Sequence, residues 1–256
     1  MTTTELFLLF VLVHFAPVDA PKTSIFRSLS ILLIATLFPL NLAVPLEWVR
    51  WNRPLQVAFT FDDGPHPHPT DLLCEVLANH QASATFFVVG QVAEKHPAVL
   101  RLLSNLGHEV SNHSWSHPDI RFTPTETLRR ELDMTRSLIH SLTGQDTYSF
   151  RTPGGDEKFL RSKFSIPQGY QLVLWDVHSR DQTGLSAEKI AERVLSQVKD
   201  GDVVLMHNGL ATTRRALDII LPALREKGFE FVTVSNLRRS RPHNEVSVRK
   251  PTFLQG

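Results

Sequence analysis

Residues 55–80 read LQVAFTFDDGPHPHPTDLLCEVLANH. The opening LQVAFTF is an apolar run suited to a buried strand, the proline-rich centre is a turn, and TDLLCEVLANH places apolar residues at helical spacing. Strand, turn and helix in that order form the repeating half of an α/β fold. Asp62 and Asp63 close the strand and are followed at once by Gly64-Pro65. Successive strand side chains point to opposite faces, so the two carboxylates are expected to serve different purposes or to be turn residues only.

The same alternation continues along the chain. ATFFVVG is a strand, PAVLRLLSNLG a helix, HEVSNH a short strand and TPTETLRRELDMTRSLIHSLTG a long helix. Thr123 is its expected N-cap, Pro124 its first helical residue and Gly144 its end. TYSF, the helical DEKFLRSKF, YQLVLWDV as one strand, the helix SAEKIAERVLSQV, DVVLMH, the helix TTRRALDIILPALREKG and FEFVTV complete the series. The expected class is α/β with a mostly parallel sheet of about seven strands, as a barrel or an open doubly wound sheet. No glycine-rich phosphate loop follows a strand, which argues against a nucleotide site.

The chain has 256 residues, enough for one large domain, and a formal net charge of +1. With no basic stripe through the body, nucleic acid is an unsuitable partner. Cys74 is the only cysteine, so no internal disulfide forms, and its place in an apolar helix suits core packing. Residues 1–50 differ in character: LFLLFVLVHFAPV and SLSILLIATLFPLNLAVPL are apolar runs separated by DAPKTSIFR. Lys22 and Arg27 ahead of Ile31–Phe38 have the layout of an export signal, cleaved or kept as a membrane anchor. The expected organisation is a signal or anchor region over 1–50, one folded domain over 51–238 and a basic, disordered tail over 239–256.

Reactive groups of parallel α/β folds gather at the carboxyl ends of the strands. Asp62 and Asp63, His113 and His117, Arg151, Asp181 and His207 each follow a different expected strand, in five groups. His113 and His117 stand at i and i+4, a spacing that on a helical turn puts two imidazoles on one face to share a metal. A carboxylate from another strand, Asp63, would complete a two-histidine, one-carboxylate set with an open position, suited to Zn²⁺. Taken singly, each has a plainer reading: Asp-Asp before Gly-Pro as turn chemistry, Arg151 as a surface ion-pair residue, His207 as a hydrogen-bonded core histidine. Their common strand-end placement favours function.

TFDDGP, HSWSH, RTPGG, WDVHSRD and VLMH, in that order, resemble the NodB-type polysaccharide deacetylases over about Leu55 to Leu237. The resemblance implies a distorted (β/α) barrel of about seven strands and a metal-dependent hydrolase that removes acetate from N-acetylglucosamine units of a glycan. It implies that Asp62 is the base, that Asp63, His113 and His117 hold the metal, that Arg151 orients Asp62, and that Asp181 orients His207, the acid that protonates the departing amine. Gly154, by its backbone N–H, and Leu205 are implied substrate contacts. Trp115 and Trp175 suit sugar stacking and core packing equally. The implied partner is an N-acetylated glycan, with the chain exported, monomeric and in contact with a membrane only through its N-terminus. The chain departs from the family pattern at Gln182, where an aromatic is common, at His178, where an acid is common, and in RTPGG, which lacks a second proline and an aromatic. Those departures leave open a carbohydrate-binding relative without turnover, or a hydrolase of O-acetyl esters or small amides.

Overall fold

The computed structural model describes residues 54–154 and 166–240. The apolar N-terminal runs, the helix expected over DEKFLRSKF and the tail beyond Ser240 lie outside them. Among the described residues no helix is long and apolar enough to cross a membrane.

Eight strands form one sheet: β1 (Leu55–Gly64), β2 (Thr85–Val88), β3 (Glu109–Asn112), β4 (Ser149–Phe150), β5 (Gln171–Leu172), β6 (Val177–His178), β7 (Asp202–His207) and β8 (Phe229–Phe231). Their order is β5-β4-β3-β2-β1-β7-β6, and β8 pairs with the first residues of β1. Every recorded pairing is parallel. This is the expected distorted barrel. β1 lies at its centre, with Val57, Ala58, Phe59, Thr60 and Phe61 fully buried, as a parallel strand covered on both faces requires.

Among the described residues seven α-helices accompany the strands: α1 (Pro67–Asn79), α2 (Gly90–Lys95), α3 (Pro97–Asn105), α4 (Thr125–Thr143), α5 (Ala187–Gln197), α6 (Ala211–Glu226) and, after the last strand, α7 (Val234–Ser240). α6 buries Thr213, Ala216, Leu217, Ile220, Leu221 and Leu224, the three-four spacing of a one-sided helix. Cys74 is buried in α1, where desolvation pushes its thiol up to about 12, as fits an inert packing residue. α4 begins one residue later than expected, with Pro124 as N-cap. The Thr123 hydroxyl instead donates to the Asp119 carbonyl. Gly144 ends the helix in the left-handed conformation.

The alternation of strand side chains sorts two cores. Val57, Phe59, Phe61, Phe86, Val88, Val204 and Met206 face the surrounding helices. Ala58, Phe87 and Val203 face the other way, packing with Val173 and with Val234 and Leu237 of α7. The inward set therefore continues along each strand to Thr60 and Asp62 on β1 and to Leu205 and His207 on β7.

YQLVLWDV is not one strand. β5 pairs with β4, β6 pairs with β7, and residues 173–176 cross between them. Val173 N–H still donates to Phe150 O, while Asp176 N–H has already switched to Val203 O. The carbonyls of Val173 and Leu174, left between two ladders, accept instead from the Arg151 guanidinium at 3.2 and 3.4 Å. A side chain thus closes the seam that backbone pairing leaves open.

Candidate active site

Asp62 and Asp63 do not point to opposite faces. β1 keeps its register with β7 through Asp62 but shifts against β2 between Phe61 and Gly64, and Asp63 adopts a left-handed φ of 71°. Both carboxylates consequently approach one imidazole: His113 Nε2 lies 4.0 Å from Asp62 Oδ2 and 3.3 Å from Asp63 Oδ1. Gly64 is required at this turn, since a β-carbon there would collide with the Asn208 side chain.

The two acids are nevertheless separated by their partners. Asp62 is buried, and its Oδ1 accepts from Arg151 NH1 at 2.8 Å. The same nitrogen is 2.7 Å from Thr60 Oγ1, and the guanidinium is fully buried against Phe87. Among the described residues Asp62 Oδ2 accepts no hydrogen bond. Asp63 is 41% exposed and faces two imidazoles, His117 Nε2 at 3.2 Å and His113 Nε2 at 3.3 Å. Burial alone would raise the Asp63 carboxyl. The hydrogen bonds of His113 and His117, with the charge of His113 and His207, outweigh it and hold the group well below the usual carboxylate range.

His113 and His117 are not on a helical turn. They lie on the loop after β3, where Ser114 and His117 are left-handed at φ 67° and 56°. Such conformations cost about 1–3 kcal/mol each in non-glycine residues and persist only where their surroundings enforce them. The rings still converge, with centroids 5.1 Å apart. His113 Nδ1–H donates to the Arg151 carbonyl at 2.9 Å, which leaves Nε2 as the nitrogen that faces Asp63 and could serve as a ligand atom. One donor atom each from Asp63, His113 and His117 lies within 4.8 Å of the others. Two imidazole nitrogens and a carboxylate oxygen, one histidine already oriented by a carbonyl, fit a divalent ion such as zinc.

Asp181, on the single 3-10 turn Asp181–Thr183 that follows β6, grips His207 at the end of β7 twice. Its Oδ1 lies 2.8 Å from His207 Nδ1, and its Oδ2 accepts from the His207 backbone N–H at 2.7 Å and from Thr213 Oγ1 at 2.6 Å. Burial opposes the charged imidazolium, but the Asp181 hydrogen bond and charge, with Asp62 and Asp63 beyond, prevail and raise the His207 pKa. Nδ1 is committed to Asp181, so Nε2 is the nitrogen left to exchange a proton.

The remaining expected residues are placed as follows. Gly154 is an exposed left-handed turn residue three positions after Arg151. Leu205 is buried within β7, in register with His178. Trp175 lies between the Arg151 guanidinium, 5.7 Å from its ring, and the His178 imidazole, also at 5.7 Å. Trp115 packs over Gly90 and borders an open groove with Met134 and Leu138 of α4. A second hollow, lined by residues 107–110 and 145–149, lies at the opposite end of the sheet. Thr60, Thr213 and Glu131 support the site and carry no sequence signature of that role. Glu131 stands 15 positions from Ser116, whose backbone N–H it accepts.

Residues 52–166 match the polysaccharide deacetylase family. The chain is 34% identical over 206 residues to a peptidoglycan-N-acetylglucosamine deacetylase of Bacillus cereus, spanning 75% of this chain and 74% of that one. It is also 34% identical over 190 residues to a chitooligosaccharide deacetylase of Rhizobium leguminosarum bv. trifolii, spanning 68% and 88%. Among solved structures, peptidoglycan deacetylase PdaC from Bacillus subtilis aligns with a TM-score of 0.65 at 33% identity, over 73% of this chain and 91% of that chain.

Proposed function

Because the chain belongs to the polysaccharide deacetylase family, we propose that it is a metal-dependent N-deacetylase, releasing acetate from N-acetylglucosamine units of an exported glycan. The observation that carries this reading is the split use of Asp62: Oδ1 is clamped by Arg151, and Oδ2 stands 4.0 Å from His113 Nε2 with no hydrogen bond among the described residues. That oxygen is free to accept a proton.

Asp63, His113 and His117 would hold the ion, which when bound supplies Lewis-acid polarisation of the acetamide carbonyl and acidifies the attacking water. Asp62 takes the proton from that water as its oxygen adds to the acetyl carbon. The backbone N–H near Gly154 would donate to the developing oxyanion. His207, protonated and held by Asp181, gives its Nε2 proton to the departing nitrogen. The C–N bond then breaks to acetate and a free amine, rather than to an amide anion. The intact pairs Asp62–Arg151 and His207–Asp181 count against a binding-only relative.

The test is acetate release by the full chain with zinc, across N-acetylated chitin-like, peptidoglycan and exopolysaccharide fragments and their O-acetyl counterparts. Release from N-acetylated substrates, lost in Asp62→Asn, is expected. Metal-loaded protein that binds glycan yet releases nothing, or that cleaves O-acetyl esters alone, would sink the proposal.

A further inference from the structure

The two histidines of the candidate metal set are held very differently. His113 is buried at the end of β3 with Nδ1 fixed on the Arg151 carbonyl. His117 has a side chain 43% exposed, sits at φ 56°, and has its backbone N–H on Ser114 Oγ at 3.2 Å. The position of His117 therefore depends on the short loop before it. Gly90 N–H and Gln91 N–H donate to the carbonyls of Ser114 and Trp115, each at 2.9 Å. The N–H groups of the loop point the other way, to one side chain on α4. Glu131 Oε2 accepts from Trp115 N–H at 2.9 Å and Ser116 N–H at 2.6 Å, while Oε1 accepts from Ser116 Oγ at 2.8 Å.

We infer that Glu131 is the positioning residue that sets the affinity of the site for its metal. The inference rests on the proposed ligand role of Asp63, His113 and His117. Trp115 and Ser116 are the two residues between the left-handed Ser114 and His117, so the carboxylate clamps the loop where it is bent hardest. Charge-assisted hydrogen bonds of this length are strong and directional. The helix beneath is firm: Leu128, Leu132, Thr135 and Ile139 are buried, and Asn112 Nδ2–H, at the end of the strand that leads into His113, donates to Leu132 O. Glu131 ties the exposed ligand to the same rigid body as the buried one. Without it, two backbone N–H groups lose their acceptor, and the loop relaxes away from the geometry that holds His117 3.2 Å from Asp63.

A matched control exists within the fold. Glu109 also accepts three hydrogen bonds, from Thr85 Oγ1, Ser235 N–H and Ser235 Oγ at 2.9, 3.0 and 2.6 Å, but at the amino end of the strands. The experiment measures the zinc dissociation constant by chelator competition, and the visible spectrum with cobalt, for the full-length parent, E131A, E131Q and E109Q. E131A is expected to raise the zinc constant about tenfold or more and to change the cobalt band. E131Q keeps a single acceptor oxygen and should fall between E131A and the parent. Acetate release by E131A is expected to recover at saturating zinc, and E109Q to lower the melting temperature with zinc affinity unchanged. Parental zinc affinity in E131A, or an equal loss in E109Q, overturns the inference. If E131A fails to fold, E131Q decides. A parent that binds zinc but releases no acetate refutes the deacetylase proposal alone, whereas a parent that binds neither ion refutes both.

Discussion

The amino end of the strands is rich in polar side chains, as the carboxyl end is, with Gln145 beside His108 and Glu109 between Thr85 and Ser235. Gln145 accepts from Val110 N–H and donates to His108 O and Ser104 Oγ, and both Glu109 oxygens are occupied. α7 closes that end, with Val234 and Leu237 packed on the inward strand residues. At the carboxyl end, among the described residues, Asp62 Oδ2 and His207 Nε2 are engaged in no hydrogen bond, while Asp63 and His117 meet only within the candidate metal set. His108 and His207 make the contrast within one residue type. Burial pushes the His108 imidazole down to about 4, and its Nδ1 accepts from Ala84 N–H at 3.3 Å, so it stays neutral. His207 is buried too, but the carboxylate behind it reverses the sign. Polar richness therefore does not mark a site; unspent hydrogen-bonding capacity does.

Four experiments press on that contrast. Removing divalent ions with a chelator should reduce acetate release to background and leave the amino-end network untouched, so the assay should recover on adding zinc. Asp62→Asn is expected to lower kcat by about 10²–10⁴-fold, the usual worth of a general base, with zinc affinity unchanged. Asp181→Asn should cost less, about 10²-fold, and should also move the pH profile. The acid works protonated, so activity falls as pH rises through the His207 pKa, which Asp181 holds above its ordinary value. With that hydrogen bond and charge gone, burial dominates and the alkaline limb shifts to lower pH; an unmoved limb would remove His207 as the acid. The smallest effect on rate belongs to Gln145→Ala. It leaves Val110 N–H without its acceptor, so about 1–3 kcal/mol of stability is lost while kcat stays within about twofold, read by denaturant unfolding beside the acetate assay. A large rate loss there would erase the distinction between the two ends.

Much of this could be read from the chain. The strand-helix alternation gave the class, and strand ends collected Asp62, His113, Arg151 and His207 because side chains of one parity share a face. What escaped lay where tertiary bonds override local pattern. Asp63, Ser114 and His117 are left-handed without being glycine, a conformation that residue type alone disfavours and Glu131, Asn112 and the turn at Gly64 enforce. The i, i+4 spacing of the histidines suggested a helical turn, and the rings meet through a loop instead. YQLVLWDV has the composition of one strand, yet it serves two ladders, and only the position of a distant arginine shows why it divides.

That arginine has a consequence for how the molecule can move. One guanidinium steadies the proposed proton acceptor through Asp62 Oδ1 and also rivets the wall through the carbonyls of Val173 and Leu174. Loosening that guanidinium would therefore disturb the wall and Asp62 together. Arg151→Lys retains the charge yet replaces a planar fork by a point donor; it should slacken both at once, so it reports on the coupling rather than on either task alone.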